Sequence, residues 1–92
     1  MKKVPRRDKL KIYGDILSSL YDEAKEEKII LTRVQLKTNV PYDRLKGYLV
    51  ELEELGLISV EPRLSLTEKG KQYLAEFKTV LEFMKRMGLA YP

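Results

Sequence analysis

Residues 41–74 of this 92-residue chain read PYDRLKGYLVELEELGLISVEPRLSLTEKGKQYL, and their pattern decides the expected fold. The apolar residues that recur there at helical spacing are Leu45, Tyr48, Leu49, Leu52 and Leu55. Gly56 follows them and is the residue type that most often ends a helix in left-handed geometry. Residues 57–60 and 64–66 then form two short strand-like pieces. The stretch therefore predicts a helix over residues 41–55 followed by a tight β-hairpin.

A further helix is predicted directly after the hairpin. Thr67 is a residue type that caps helix N-termini, and Glu68 is favourable in the first turn because its charge complements the helix dipole. We expect this helix over residues 68–87, with Gly88 as its stop, at a length of ~30 Å. A helix, a tight hairpin and a second helix make up the second half of a winged helix-turn-helix, so the preceding residues are expected to supply the first half.

The first helix of the chain is predicted from apolar residues at three- and four-residue steps. They are Leu10, Tyr13, Leu17, Leu20, Tyr21 and Ala24, with Ile16 alongside. Asp8 is expected to cap this helix, which should end near Glu27. Gly14 either permits the close approach of another helix or is a tolerated glycine that costs up to ~1 kcal/mol relative to alanine. The acidic residues Asp22, Glu23, Glu26 and Glu27 are interpreted as a solvated helix end rather than a metal site.

The segment before residue 41 completes the helix-turn-helix. Residues 29–31 indicate a short strand. Thr32 and Gln35 form a capping box at the start of a helix predicted over residues 33–38. Pro41 is expected at the first position of the following helix, where its missing N–H is not needed. The expected fold is therefore mainly α with a small β-hairpin.

Three parts of the chain are expected to have different roles. Residues 1–7 are interpreted as a mobile basic arm, and residues 8–67 as a winged helix-turn-helix DNA-binding domain. Residues 68–92 are interpreted as a long C-terminal dimerisation helix with a short tail.

The composition excludes several classes of catalytic and metal site. There is no cysteine and no histidine, which excludes disulfides, thiolate metal sites and Ser–His or Cys–His catalysis. No glycine-rich phosphate loop is present, because Gly70 and Lys71 lack the rest of that motif. Glu51, Glu53 and Glu54 are interpreted as a wet helix face rather than an acid–base pair. We expect a non-enzymatic cytoplasmic protein, associated with the nucleoid, without a cofactor, metal, small-molecule ligand or membrane partner.

The charge is unevenly distributed. The chain carries a net charge of +4. Residues 1–11 hold six cations against Asp8, which makes +5, so residues 12–92 sum to −1. A basic arm of this kind either binds nucleic acid or is a solubilising tail.

The residues predicted to contact DNA surround the helix over 41–55, whose N-terminal half is expected to meet base edges. Lys46 or Arg44 can contact guanine or phosphate, Gly47 permits close approach, and Val50 can touch a thymine methyl group. The complete predicted set is Arg33, Lys37, Tyr42, Arg44, Lys46, Gly47, Val50, Arg63, Arg6 and Arg7.

The last helix carries more apolar residues than one small core can bury. The predicted dimer interface consists of Val80, Leu81, Phe83, Met84 and Met87. The alternative is that this helix folds back along the first helix and buries all of them within one chain.

The block TRVQLKTNVPYDRLKGYLVELEELGLI, followed by LSLTEKGKQYL, resembles the small archaeal winged-helix DNA-binding proteins. The residues that carry the resemblance are Thr32, Arg33, Asn39, Tyr42, Tyr48, Leu49, Leu52, Gly56, Leu57, Ile58 and residues 66–70. The resemblance implies a dimer joined by an antiparallel coiled coil of the last helix, and a role in chromatin or transcription. Pro41 stands where the family usually has a serine cap, and the last helix is shorter than in chromatin-type members. The shorter helix points to a compact dimer or a regulator.

The sequence is therefore compatible with two functions. The leading one is a homodimeric, non-enzymatic protein that binds double-stranded DNA as a transcriptional regulator or chromatin-associated protein. The alternative is a winged-helix protein–protein interaction module in a larger assembly, favoured by the nearly neutral residues 12–92. Salt-dependent binding to duplex DNA distinguishes them.

Overall fold

The computed structural model describes residues 8–26 and 28–89. The elements in these ranges are α1 (Lys9–Glu23), α2 (Leu31–Thr38), α3 (Tyr42–Glu54), β1 (Ile58–Ser59), β2 (Ser65–Leu66) and α4 (Glu68–Arg86). The two strands are antiparallel, with Ile58 opposite Leu66 and Ser59 opposite Ser65. The mainly helical fold with a small hairpin is confirmed.

Four of the predicted caps and stops, at Asp8, Gly56, Thr67 and Gly88, lie where the sequence indicated. The carboxylate of Asp8 accepts a hydrogen bond from a backbone N–H in the first turn of α1, and the hydroxyl of Thr67 does the same at α4. Gly56 and Gly88 have φ angles of 78° and 75°, the left-handed geometry that favours glycine. Caps and stops are local interactions, so a short stretch of sequence contains the information for them.

The strand predicted at residues 29–31 is wrong. Leu31 is already the first residue of α2, and the carbonyl of Ile30 accepts hydrogen bonds from Arg33 and Val34 at 3.0 and 3.3 Å. The capping box is wrong for the same reason, because Thr32 lies inside the helix and the N-cap, Ile30, makes no side-chain hydrogen bond. Local helical hydrogen bonds thus replace the sheet pairing that three apolar residues suggested.

Two helix boundaries also differ from the prediction. α1 ends at Glu23 rather than near Glu27, which lies outside the described residues. After Ala24 the chain offers no apolar residue for the core until Ile29, so packing does not extend the helix. Pro41 is the N-cap of α3 rather than its first helical residue, with φ −60° and ψ 150°.

One apolar core joins the helices to the hairpin. Its buried members are Ile16, Leu17, Leu20, Val34, Val40, Leu45, Leu52, Leu57, Ile58 and Leu74. Burying a large apolar side chain contributes about 1.5–3 kcal/mol, so this cluster is the main source of stability. It sets α3 with one face against the core and the other towards solvent.

α4 crosses α1 in close contact. The ring of Phe77 lies over Gly14, where an added Cβ would be 2.2 Å from a ring carbon. The hydroxyl of Tyr73 donates a hydrogen bond of 2.8 Å to the carbonyl of Leu10. Gly14 therefore permits the close approach of a second helix, which was one of its two predicted roles.

Candidate nucleic-acid interface

The outward face of α3 is open. Leu45 and Leu52 are buried and anchor the helix, whereas Lys46 and Val50 are exposed. A Cβ added to Gly47 would meet nothing within 4 Å. Arg44 and Asp43 are exposed as well. The first two turns of α3 therefore leave room for another molecule to approach the helix backbone closely.

Tyr42 and Lys46 form a pair at the start of this face. The Lys46 ammonium lies 5.3 Å from the centre of the Tyr42 ring, and both side chains are exposed. A cation–π contact at an exposed site contributes about 0.5–1 kcal/mol. The contact holds the ammonium group near the N-terminal end of α3, the part of a recognition helix that meets base edges.

Glu51 ties α3 to α1. Its carboxylate accepts hydrogen bonds from the Tyr13 hydroxyl and, at 2.9 Å, from the Lys9 ammonium. The rings of Tyr13 and Tyr48 meet edge to face, 6.3 Å apart. The interpretation of Glu51 as part of a wet face holds only in part, because its side chain is 39% exposed but also hydrogen-bonded to α1.

These contacts shift the ionisation of all three groups. The hydrogen bonds from Tyr13 and Lys9 lower the pKa of Glu51. Burial, followed by the hydrogen bond to Glu51, raises the pKa of Tyr13. The hydrogen bond to Glu51 raises the pKa of Lys9. The tie is strongest when Glu51 is ionised and both Tyr13 and Lys9 are protonated.

Arg33 and Lys37, predicted to bind phosphates, both lie against Glu23 of α1. The Lys37 ammonium is 2.8 Å from Glu23 Oε2, and the Arg33 guanidinium is 3.7 Å from Glu23 Oε1. The Glu23 side chain is 3% exposed, while those of Arg33 and Lys37 are 54% and 48% exposed. The interpretation of Glu23 as part of a solvated helix end is wrong, because α2 packs over it.

The hairpin and the N-terminal arm complete the predicted set. Arg63 is exposed in the hairpin turn and lines a cleft of about 300 Å³ with Lys28 and Ile29. Its contact with DNA stays a prediction. Arg6 and Arg7 lie outside the described residues.

The second half of α4 exposes a row of apolar side chains. Leu74 and Phe77 are buried, but Val80, Phe83 and Met87 are 37–56% exposed. Leu81 and Met84 continue the helix face of Leu74 and Phe77 at three- and four-residue steps and are half-buried. The alternative that α4 buries all of its apolar residues along α1 is therefore wrong for a single chain.

Sequence reasoning missed two positions, Glu23 and Glu51. Glu23 follows Ile16 by seven residues and Leu20 by three, which places it on the buried side of α1. That spacing was the available signal. Glu51 had no such signal, because its partner Tyr13 is 38 residues away.

In residues 8–26 and 28–89 there is no group of three or more side chains of the types that ligate metals. None of the helices there is long and apolar enough to cross a bilayer.

Comparison with known proteins agrees with this fold. The family model for winged helix-turn-helix proteins matches residues 6–85 of the 92-residue chain. Neither the curated proteins nor the solved structures include a match. Because the family model covers most of its length, the chain belongs to the winged helix-turn-helix family, and this membership indicates a DNA-binding or regulatory role.

Proposed function

We propose that this winged helix-turn-helix protein binds double-stranded DNA as a homodimer and regulates transcription or organises chromatin, without catalysing a reaction. The observation that carries the proposal is the outward face of α3. Gly47 leaves that face open, with exposed Lys46 and Val50 beside it. A helix with such a face can enter the major groove, which is wide enough to admit an α-helix.

In the proposed complex the N-terminal half of α3 reads the bases. Lys46 or Arg44 contacts guanine or a phosphate, and Val50 touches a thymine methyl group. Tyr42 lies next to Lys46 and meets the backbone at the groove edge. Glu53 and Glu54 make the C-terminal half acidic, so only the first two turns of α3 enter the groove.

Basic side chains on the elements around α3 contact the DNA phosphates. Arg33 and Lys37 approach the backbone from α2, because the helix before a recognition helix crosses the phosphates. Arg63 reaches the backbone from the hairpin. Arg6 and Arg7 add charge from the N-terminal arm. A protein bound in this way is associated with the nucleoid in the cytoplasm.

The homodimer is proposed from the apolar row on α4. Val80, Phe83 and Met87 are exposed, and Leu81 and Met84 continue the row. An exposed patch of adjacent large apolar side chains usually marks an interface. Packing α4 against its mate covers the row and presents two copies of α3 to one duplex.

Binding to duplex DNA at two salt concentrations tests the first half of the proposal. Each phosphate contacted adds about −0.9 to the slope of log K against log salt, so affinity should fall steeply between about 50 and 200 mM salt. Fluorescence anisotropy with a labelled duplex measures this directly. If the protein does not bind duplex DNA, or if its affinity does not change with salt, the proposal is contradicted.

Light scattering tests the homodimer. Wild-type protein at micromolar concentration should have twice the mass of one chain. Phe83→Gln should shift the population to monomer, while Glu82→Gln, which introduces the same residue at the exposed neighbouring position, should not. A wild-type monomer at tens of micromolar contradicts the dimer.

A protein–protein interaction module is the second candidate, and Leu36 favours it. This leucine lies on α2 and is 77% exposed, more than any of the other large apolar residues in the described part of the chain. A partner helix that buries Leu36 could occupy this side of the helix-turn-helix. Salt-insensitive or absent DNA binding by a folded dimer would favour this function.

A further inference from the structure

Glu23 is a buried charge that the proposed DNA contacts do not use. It is the last residue of α1, and its side chain is 3% exposed. Its Oε1 atom has no hydrogen-bond partner among the described residues, and neither does the buried Oγ of Ser19. A buried carboxylate without hydrogen bonds on one oxygen depends on nearby cations for its charge balance.

The cations that supply this balance come from α2. Lys37 lies 2.8 Å from Oε2 and Arg33 lies 3.7 Å from Oε1. The other carboxylates on this side of α1, Asp15 and Asp22, have cations of their own at 2.8 and 4.0 Å, on Lys11 and Lys25. Arg33 and Lys37 are therefore the cations that balance the charge of Glu23.

The same two cations are about half-exposed, so a phosphate group can reach them from solvent. One negative and two positive side chains leave the cluster a net charge of +1. A phosphate must then compete with Glu23 for Lys37. Without the carboxylate, both cations would face the phosphate with their full charge.

We infer that Glu23 lowers the affinity of this protein for DNA by holding Lys37 and Arg33, and so sets the number of phosphates that α2 neutralises. The inference rests on the proposed DNA binding. In physical terms, Glu23 reduces counterion release at α2 from about two ions to about one per chain.

The experiment measures duplex affinity against salt for wild type, Glu23→Gln and Glu76→Gln. The second variant removes the same charge from an exposed position on α4, where Glu76 accepts a hydrogen bond from Gln72. Glu23→Gln should steepen the salt slope by about 0.9 per chain, or about 1.8 for the dimer, which makes dimer binding about 60-fold tighter at about 0.1 M salt. Glu76→Gln should change the slope much less.

A second pair of variants keeps the test informative if Glu23→Gln does not fold, which thermal unfolding will reveal. Glu23→Gln with Lys37→Gln removes both partners and leaves the cluster charge at +1, so its slope should equal that of wild type. Lys37→Gln alone leaves a cluster charge of zero and should flatten the slope by about 0.9 per chain.

The outcomes separate the inference from the proposed function. Wild-type protein that does not bind duplex DNA in a salt-dependent way contradicts the proposed function itself. If wild type binds but Glu23→Gln matches Glu76→Gln or binds more weakly, the inference is overturned. A double variant whose slope is flatter than wild type also overturns it, because removing Glu23 then does not restore the phosphate neutralisation that is lost with Lys37.

Discussion

Gly14 and Gly47 each lie within a helix, yet their surroundings are opposite. A Cβ on Gly14 would be 2.2 Å from the ring of Phe77, whereas a Cβ on Gly47 would meet nothing within 4 Å. In α1 the missing side chain lets α4 pack closely. In α3 it leaves the outward face flat. Glycine costs a helix about 1 kcal/mol relative to alanine, so each position needs a separate reason for keeping it.

The glycine in α1 therefore serves stability, whereas the one in α3 is available for binding. Gly14 is buried in a contact within the chain, so substitution should change the free energy of unfolding. Gly47 is exposed on the proposed recognition face, so substitution should change DNA affinity instead. The two sites can therefore be separated by measuring both quantities on the same variants.

Gly14→Ala should have the largest effect on stability. The added methyl group must displace the Phe77 ring, which costs about 1–3 kcal/mol, offset in part by roughly 1 kcal/mol of helix propensity. Urea unfolding should show a net loss. In a Phe77→Leu background the smaller side chain leaves room, so the same substitution should cost less. A Gly14→Ala variant as stable as wild type would contradict the close packing.

Gly47→Glu should reduce DNA affinity by tenfold or more, or at least about 1.4 kcal/mol, because it places a bulky negative charge towards the phosphates. Its free energy of unfolding should not fall, since the new side chain projects into open space. Ala75→Glu adds the same charge at an exposed position on α4 and is the matched control. Equal affinity of the two variants would move the recognition surface away from α3.

Gly47→Ala should stabilise the protein modestly. A methyl group fits without contact at this position, and alanine is favoured over glycine within a helix by about 0.5–1 kcal/mol. Urea unfolding of wild type and variant measures the gain. A loss of stability would mean that the α3 face is not open, and would remove the contrast with Gly14.

The smallest effect is expected from the hydrogen bonds that connect Glu51 of α3 to Tyr13 and Lys9 of α1. The pKa of Glu51 is lowered, so its contribution to stability is present above the ordinary Glu range of about 4 and is lost as pH falls below it. The pKa values of Tyr13 and Lys9 are raised, so their contributions are lost as pH rises past about 10. Glu51→Gln should flatten the acid side of the stability profile, measured by thermal unfolding. If stability at acid pH were the same in wild type and variant, the hydrogen bonds of Glu51 would contribute nothing to stability.

Much of this fold was determined by the sequence alone, because its signals are local. Asp8 and Thr67 cap helices through hydrogen bonds to residues three positions away. Gly56 and Gly88 end helices through their own backbone geometry. The apolar periodicity of residues 41–55 identified the buried and outward sides of α3. Each of these features needs only one turn of helix to operate.

The tertiary structure alone decided which charged and small residues have partners far along the chain. The burial of Glu23 under Arg33 and Lys37, and the tie from Glu51 to Tyr13, depend on how α1 packs against α2 and α3. A sequence pattern specifies which side of a helix is apolar, but the residue that meets a given side chain is chosen only when the helices pack.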